Sequence, residues 1–369
     1  MKKRILFVAG DPSGDEHAAR VAAESKVRGA EILAAGGPAL RAVADRWLGD
    51  VVSQGVMGFW EPLKKIPFFL NVLNRVIRPA LREWEPQVVV PTDFYGFNRH
   101  VARSAKDAGR RVCYFISPQV WASRPGRIQT LKKCVDRMLV IFPFEEKLYR
   151  DAGVPVTFVG HPLLDVLPDV SASAPSNVEP RVGLLPGSRP SEVRRLLPVF
   201  LETADRMPAG TRFVLFAAPT LSNAFYDRFL AGRRPGKHLL ELVRDENYSI
   251  RRGLDMALAC SGTATLENAL LGIPTVVAYK TSWPTYLLAR TLVNVPYIAM
   301  PNILARKVLM PEHIQTRARP NELAEALVTL WKDGSARKAV RGELLALRGQ
   351  LGGPGAARRA ADAILGEAA

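Results

Sequence analysis

The chain has 369 residues, 48% hydrophobic and 23% charged, which is ordinary for a globular protein and enough for two domains with proper cores. Lys and Arg outnumber Asp and Glu by 51 to 35, and the formal net charge of +16 implies an acidic partner: nucleic acid, an anionic membrane surface or a phosphorylated substrate. The basic residues are dispersed with no nucleic-acid-binding module, no apolar run is long enough to span a bilayer, and Cys113, Cys134 and Cys260 lie far apart without a CxxC pair, as buried reduced thiols do.

In chain order, the first apolar run, Ile5–Ala9, is too short for a signal peptide and ends at Gly10-Asp11-Pro12-Ser13-Gly14-Asp15, so it reads as a buried strand. Further strands are predicted at 32–34, 88–91, 112–116, 138–142 and 156–159, then at 181–185, 213–217, 256–259 and 274–279. Their alternation with helical patterns predicts an α/β protein with parallel, doubly wound sheets. The Pro-, Ser- and Ala-rich stretch 168–180 reads as a linker between a first domain, 1–168, and a second, 180–348. Gly349–Gly355 breaks the helical pattern, and a final helix over 356–365 is expected to pack back on the first domain. Two Rossmann-like halves place a ligand in the cleft outside the strand ends.

The candidate site residues stand at those strand ends. In the loop after the first strand, Ser13 and Asp15 either face substrate, with carboxylates taking sugar hydroxyls, or form an Asx turn in which one of them caps the next helix. Asp93 follows the third run, 88–91, among Phe94, Tyr95 and Phe97; it is either a general base whose pKa those neighbours raise, or a cap for the helix starting near Asn98. His161 follows the strand 156–159 and is either a donor to ligand or a structural histidine at a hinge. In the second half, Leu185 is followed by the turn Pro186-Gly187-Ser188-Arg189 and then a helix, a strand–glycine turn–arginine arrangement suited to phosphate. Ser261-Gly262-Thr263 opens another helix, with Glu267 one turn in; two anion sites in one domain suggest a nucleotide diphosphate. No cluster of His, Cys and carboxylates suggests a metal, and no GxSxG elbow is present.

These segments, together with Gly36-Gly37-Pro38, Val56-Met57-Gly58, Phe97-Asn98, Ser117-Pro118, Val120-Trp121-Ala122, Phe142-Pro143-Phe144-Glu145, Gly160-His161-Pro162 and Pro301-Asn302, resemble in number and order the lipid A disaccharide synthase family. The resemblance implies a GT-B fold and an inverting, metal-independent hexosyltransferase with no cofactor. Its donor would be UDP-2,3-diacylglucosamine, its acceptor 2,3-diacylglucosamine 1-phosphate and its products the disaccharide 1-phosphate and UDP. It further implies that Asp93 is the base, that Arg189 holds the diphosphate, that Glu267 accepts the ribose hydroxyls and that Asn302 is essential. Departures from the family pattern, such as Asp11 and Gly96, fall mostly on the acceptor side. A relative acting on another UDP-sugar, such as a different glycolipid synthase or a UDP-N-acetylglucosamine epimerase, is the alternative.

Phe59, Trp60, Leu63, Ile66, Phe68, Phe69 and Leu70 crowd one region with Lys64, Lys65, Arg75 and Arg78 interleaved. Positions 69, 73, 76 and 80 make a core-facing helical stripe. Phe59, Trp60, Leu63 and Phe68 are left for a monotopic patch on the cytoplasmic face of the inner membrane, or else belong to ordinary core. No nucleic-acid partner is expected, and the sequence sets no oligomeric state.

Overall fold

A computed structural model describes residues 2–52, 61–122, 126–170, 179–231, 238–245, 247–292 and 295–368. The first unit takes in residues up to 165 and the C-terminal segment from 351; the second spans 166–291 and 295–350.

In the first unit a fully parallel sheet contains β1 (Arg4–Ala9), β2 (Glu31–Gly36), β3 (Arg46–Asp50), β4 (Val88–Thr92), β5 (Arg111–Phe115), β6 (Arg137–Val140) and β7 (Val156–Phe158), in the order β3-β2-β1-β4-β5-β6-β7. The second unit repeats the plan with β8 (Arg181–Leu185), β9 (Arg212–Phe216), β10 (Leu240–Val243), β11 (Met256–Cys260), β12 (Thr275–Tyr279) and β13 (Glu312–Ile314), ordered β10-β9-β8-β11-β12-β13. In both, the strand order reverses next to the first strand, so β1/β4 and β8/β11 are the switch points where open sheets of this kind bind ligands. The apolar runs form these strands because helices cover both sheet faces: Val8, Val89 and Met138 are fully buried in one core, Leu184, Leu215 and Leu258 in the other.

All ten expected strands are present. Three were not expected, β3, β10 and β13, and each is a sheet edge. Their residues alternate or stay half-exposed, so they lack the continuous apolar run that marks a central strand. Most of the expected linker, 171–178, lies outside the described residues.

The C-terminal helix Ala356–Glu367 belongs to the first unit and packs against the helix Pro12–Val27. Its first N–H groups, from Gly355, Ala356 and Ala357, donate to the Asp165 carboxylate at 2.5, 3.1 and 2.9 Å. Near its other end, Arg137 Nε donates to Glu367 at 2.7 Å.

The aromatic and basic region forms a helix Glu61–Val72, a π turn Leu73–Ile77 and a helix Arg78–Glu83. The expected stripe faces the core, with Leu73 and Ala80 buried and Phe69 and Val76 packed against it, and the wider π turn adds the fully buried Ile77. Phe68, expected in the membrane patch, is corrected: it is half-buried, packed on the core and edge-on to Phe69 at 5.3 Å. Ile66 and Leu70 are the exposed apolar side chains, at 46% and 49%. Phe59, Trp60 and the Leu63 side chain lie outside the described residues. Among the described residues no helix is long and apolar enough to cross a membrane.

Candidate active site

The switch point of the first unit is built from the ends of β1 and β4. Pro91 has no N–H to donate, and the pairing of β4 with β5 runs through Val88, Val89 and Thr92 without it. The chain then turns through Asp93 and Phe94, both left-handed, at φ 43° and 44°. For non-glycine residues this costs on the order of 1–3 kcal/mol each. A clamp on the backbone holds it: Asp93 N–H donates to Phe115 O at 2.9 Å, and Asp93 O accepts from Tyr114 Oη at 2.6 Å and Asn98 Nδ2 at 3.0 Å. The Phe94 ring lies over Gly10, where a Cβ would meet it at 2.3 Å, so the β1 loop needs glycine there.

The turn leaves the Asp93 side chain free of capping duty. The helix Tyr95–Asp107 has Phe94 at its N-cap with no side-chain cap bond, so the cap reading of Asp93 fails. Its carboxyl is pushed up to about 7 by burial first, then by the charge of Asp11, with Glu145 adding to it, against the Phe94 N–H.

Glu145 was part of a family motif without a role. It is 1% exposed and sits at the start of the helix Pro143–Asp151 after β6. Oε2 accepts from Phe142 N–H at 3.2 Å, the reach-back half of a capping box. Oε1 accepts from Ser117 Oγ at 2.6 Å and Trp121 Nε1 at 3.2 Å. Burial still raises this carboxyl to about 7 despite those donors. Beside it runs an aromatic row: Trp121 edge-on to Phe144 at 5.2 Å, Phe144 stacked on Phe142 at 5.6 Å, and Phe142 tilted against His161 at 5.2 Å.

Asp15 and His161 are turned away from a substrate role. Asp15 is 2% exposed, and its oxygens accept from the N–H groups of Gly37, Ala39 and Leu40 at 2.7, 2.9 and 3.3 Å, capping the helix Pro38–Val43 rather than its own. The cap of its own helix is Asp11, whose Oδ1 accepts from Gly14 N–H at 2.8 Å. Ser13 is exposed in that first turn. His161 is buried, and its Nδ1 accepts from Leu163 N–H at 3.2 Å. Burial, then the nearby His17, lowers His161 to about 3, so it stays neutral at working pH.

The second unit carries the anion turns. After β8, Gly187 at φ 118° lets Glu192 approach so closely that a Cβ would meet Oε2 at 2.6 Å. Glu192 Oε2 accepts from the N–H groups of Ser188 and Arg189 at 3.2 and 3.3 Å, and Oε1 from Arg189 Nη1 at 3.1 Å. The Arg189 side chain is 51% exposed at the mouth of the helix Pro190–Arg206. After β11, Ser261 Oγ donates to Ile298 O at 3.0 Å, and Gly262 and Thr263 are exposed at the start of the helix Thr263–Leu270. Glu267 is held from behind by Arg251, with Nη1 to Oε2 at 2.6 Å, and by Tyr248 Oη to Oε1 at 3.1 Å.

Asn302 is the main correction. It is fully buried: Oδ1 accepts from Leu309 and Met310 N–H at 2.8 and 2.9 Å, and Nδ2 donates to Met310 O and Glu312 Oε1 at 2.7 and 2.8 Å. Both donors and both acceptor sites of the amide are occupied, so it reaches a substrate only by leaving this clamp. Glu312 in turn accepts from Ile298 and Ala299 N–H. Asn302 thus braces the segment that anchors Ser261.

Two doubly wound units with this motif placement define a GT-B fold. The solved MurG of Acinetobacter baumannii superposes with a TM-score of 0.63 at 15% identity, covering 99% of each chain. A UDP-GlcNAc 2-epimerase from Neisseria meningitidis bound to UDP-GlcNAc gives 0.62 at 13% identity, covering 99% of this chain and 100% of that one. The Lipid-A-disaccharide synthetase family model matches residues 5–359, and a lipid-A-disaccharide synthase of Syntrophus aciditrophicus is 42% identical over 97% of this chain and 96% of its own. The chain belongs to the lipid-A-disaccharide synthetase family and is a glycosyltransferase of lipid A biosynthesis.

Proposed function

We propose that the chain transfers a 2,3-diacylglucosaminyl group from UDP to 2,3-diacylglucosamine 1-phosphate, with inversion and without a metal or cofactor. The single observation behind the assignment of roles is the Asp93 turn: a strained, clamped switch-point carboxyl whose pKa lies near 7. Asp93 takes the proton of the acceptor's primary hydroxyl as its oxygen bonds to the anomeric carbon. The bond from that carbon to the UDP oxygen breaks, and the charge left on the diphosphate is met by the Arg189 guanidinium and the N–H groups at the Ser261-Gly262-Thr263 helix start. Glu267 takes the ribose hydroxyls. The half-exposed Trp121 and Phe144 rings offer apolar surface to the acylated acceptor.

The acylated substrates and the exposed Ile66 and Leu70 beside basic residues favour work at a membrane surface, on the cytoplasmic face of the inner membrane. The test is a labelled-donor assay with both diacyl substrates, following UDP release and disaccharide formation together. UDP release without disaccharide, or activity only with a non-acylated UDP-sugar, overturns the proposal.

A further inference from the structure

Arg251 begins a short 3-10 turn, Arg251–Gly253, just before β11, and it was not among the residues the sequence singled out. Its side chain is 8% exposed, and burying a guanidinium is costly unless its donors are engaged. Here they are: Nη1 donates to Glu267 at 2.6 Å, Nε to Asn268 Oδ1 at 2.8 Å and Nη2 to Ala264 O at 3.0 Å. The fork therefore grips the helix Thr263–Leu270 at three residues, while Tyr248 Oη engages the other Glu267 oxygen. Glu267 itself keeps 16% of its side chain exposed. Each carboxylate oxygen is held by one donor and retains a further lone pair. A carboxylate fixed in rotamer with one free site on each oxygen matches a vicinal diol, which offers two adjacent O–H donors.

We propose that Arg251 is a positioning residue that locks Glu267 so that the site selects ribose over 2′-deoxyribose in the nucleotide. This rests on the reading of Glu267 as the ribose acceptor. A lone carboxylate on a mobile side chain would lose rotamer freedom on gripping a diol; one held in advance has already lost it, so the preference for the diol is larger.

The experiment measures the dissociation constants of UDP and 2′-deoxy-UDP by calorimetry on the full chain and on Glu267→Ala, Arg251→Met and Arg251→Lys. The parent should prefer UDP by about tenfold, the size of a hydrogen bond to a charged group, and Glu267→Ala should abolish the preference. Arg251→Met should bring the ratio close to one while 2′-deoxy-UDP binds about as in the parent, and Arg251→Lys, which keeps one donor without the fork, should fall between. A parent-like ratio in Arg251→Met, or equal weakening of both nucleotides, overturns the proposal. If Arg251→Met does not fold, a parent-like ratio in Arg251→Lys overturns it. Glu267→Ala with its preference intact would remove the ribose reading itself, whereas a loss in Glu267→Ala alone would remove only the role of Arg251.

Discussion

Asp93 is a carboxyl whose folded pKa is raised from 3.8 to about 7, so the folded state binds the extra proton between those values. The sign is opposite to that of a salt-bridged aspartate: the stability this group contributes is present below about pH 4 and lost as pH rises through about 7. Asp93→Asn should therefore raise the melting temperature at pH 8 and show a clearly smaller gain at pH 5, measured by thermal unfolding. The same variant cannot accept a proton, so turnover should fall by about 100- to 10,000-fold while UDP affinity changes little. In the parent, kcat/KM should rise with pH through an acid limb near 7. A flat profile from pH 5.5 to 8 would take Asp93 out of the role of base. Arg189→Ala should cost about 100-fold or more in turnover with the melting temperature unchanged, since that side chain is half-exposed and its ion pair with Glu192 lies at the surface.

At the scale of elements, the Asn302 clamp makes a different prediction. Asn302→Ala strands two backbone N–H groups and the Met310 carbonyl, so it should destabilise the chain by roughly 3 kcal/mol or more. A loss of turnover with an unchanged melting temperature would instead place the amide on the substrate. The resemblance marked Asn302 as essential, but no spacing in the sequence shows that its four partners lie at 309, 310 and 312. The same holds for Asp15. Its place in a glycine loop after a strand is legible, but the N–H groups it caps come from a helix that starts more than twenty residues later, and only folding brings them together.

For the whole molecule, the net charge of +16 and the helix Glu61–Val72 bear on the membrane. Ile66 and Leu70 could each gain on the order of 1–2 kcal/mol if buried in the acyl boundary, with basic side chains adding a salt-screened part. Co-sedimentation with anionic vesicles should thus keep a salt-resistant component that an Ile66→Ser, Leu70→Ser double variant loses. Equal binding of parent and variant at high salt would refute the patch. Phe68 is left out of this variant because it packs on the core, where a serine would test stability rather than binding.

By itself the sequence determined the α/β class, the central strands and the segments that carry the chemistry. A strand buried on both faces must be a continuous apolar run, and the turns that follow need glycine and polar residues at fixed offsets. Tertiary structure alone decided which way those residues turn. Asp93 is set up by a left-handed turn clamped from Tyr114 and Asn98, Glu267 is gripped by an arginine sixteen residues away, and Asp15, His161 and Asn302 are turned inward. The edge strands β3, β10 and β13 escaped for a related reason: with one side unpaired they need no apolar continuity, and only their neighbours make them strands. The direction of a side chain is fixed by hydrogen-bond partners and burial, which depend on segments distant in the chain, so a local pattern places a residue at the site without saying which way it points.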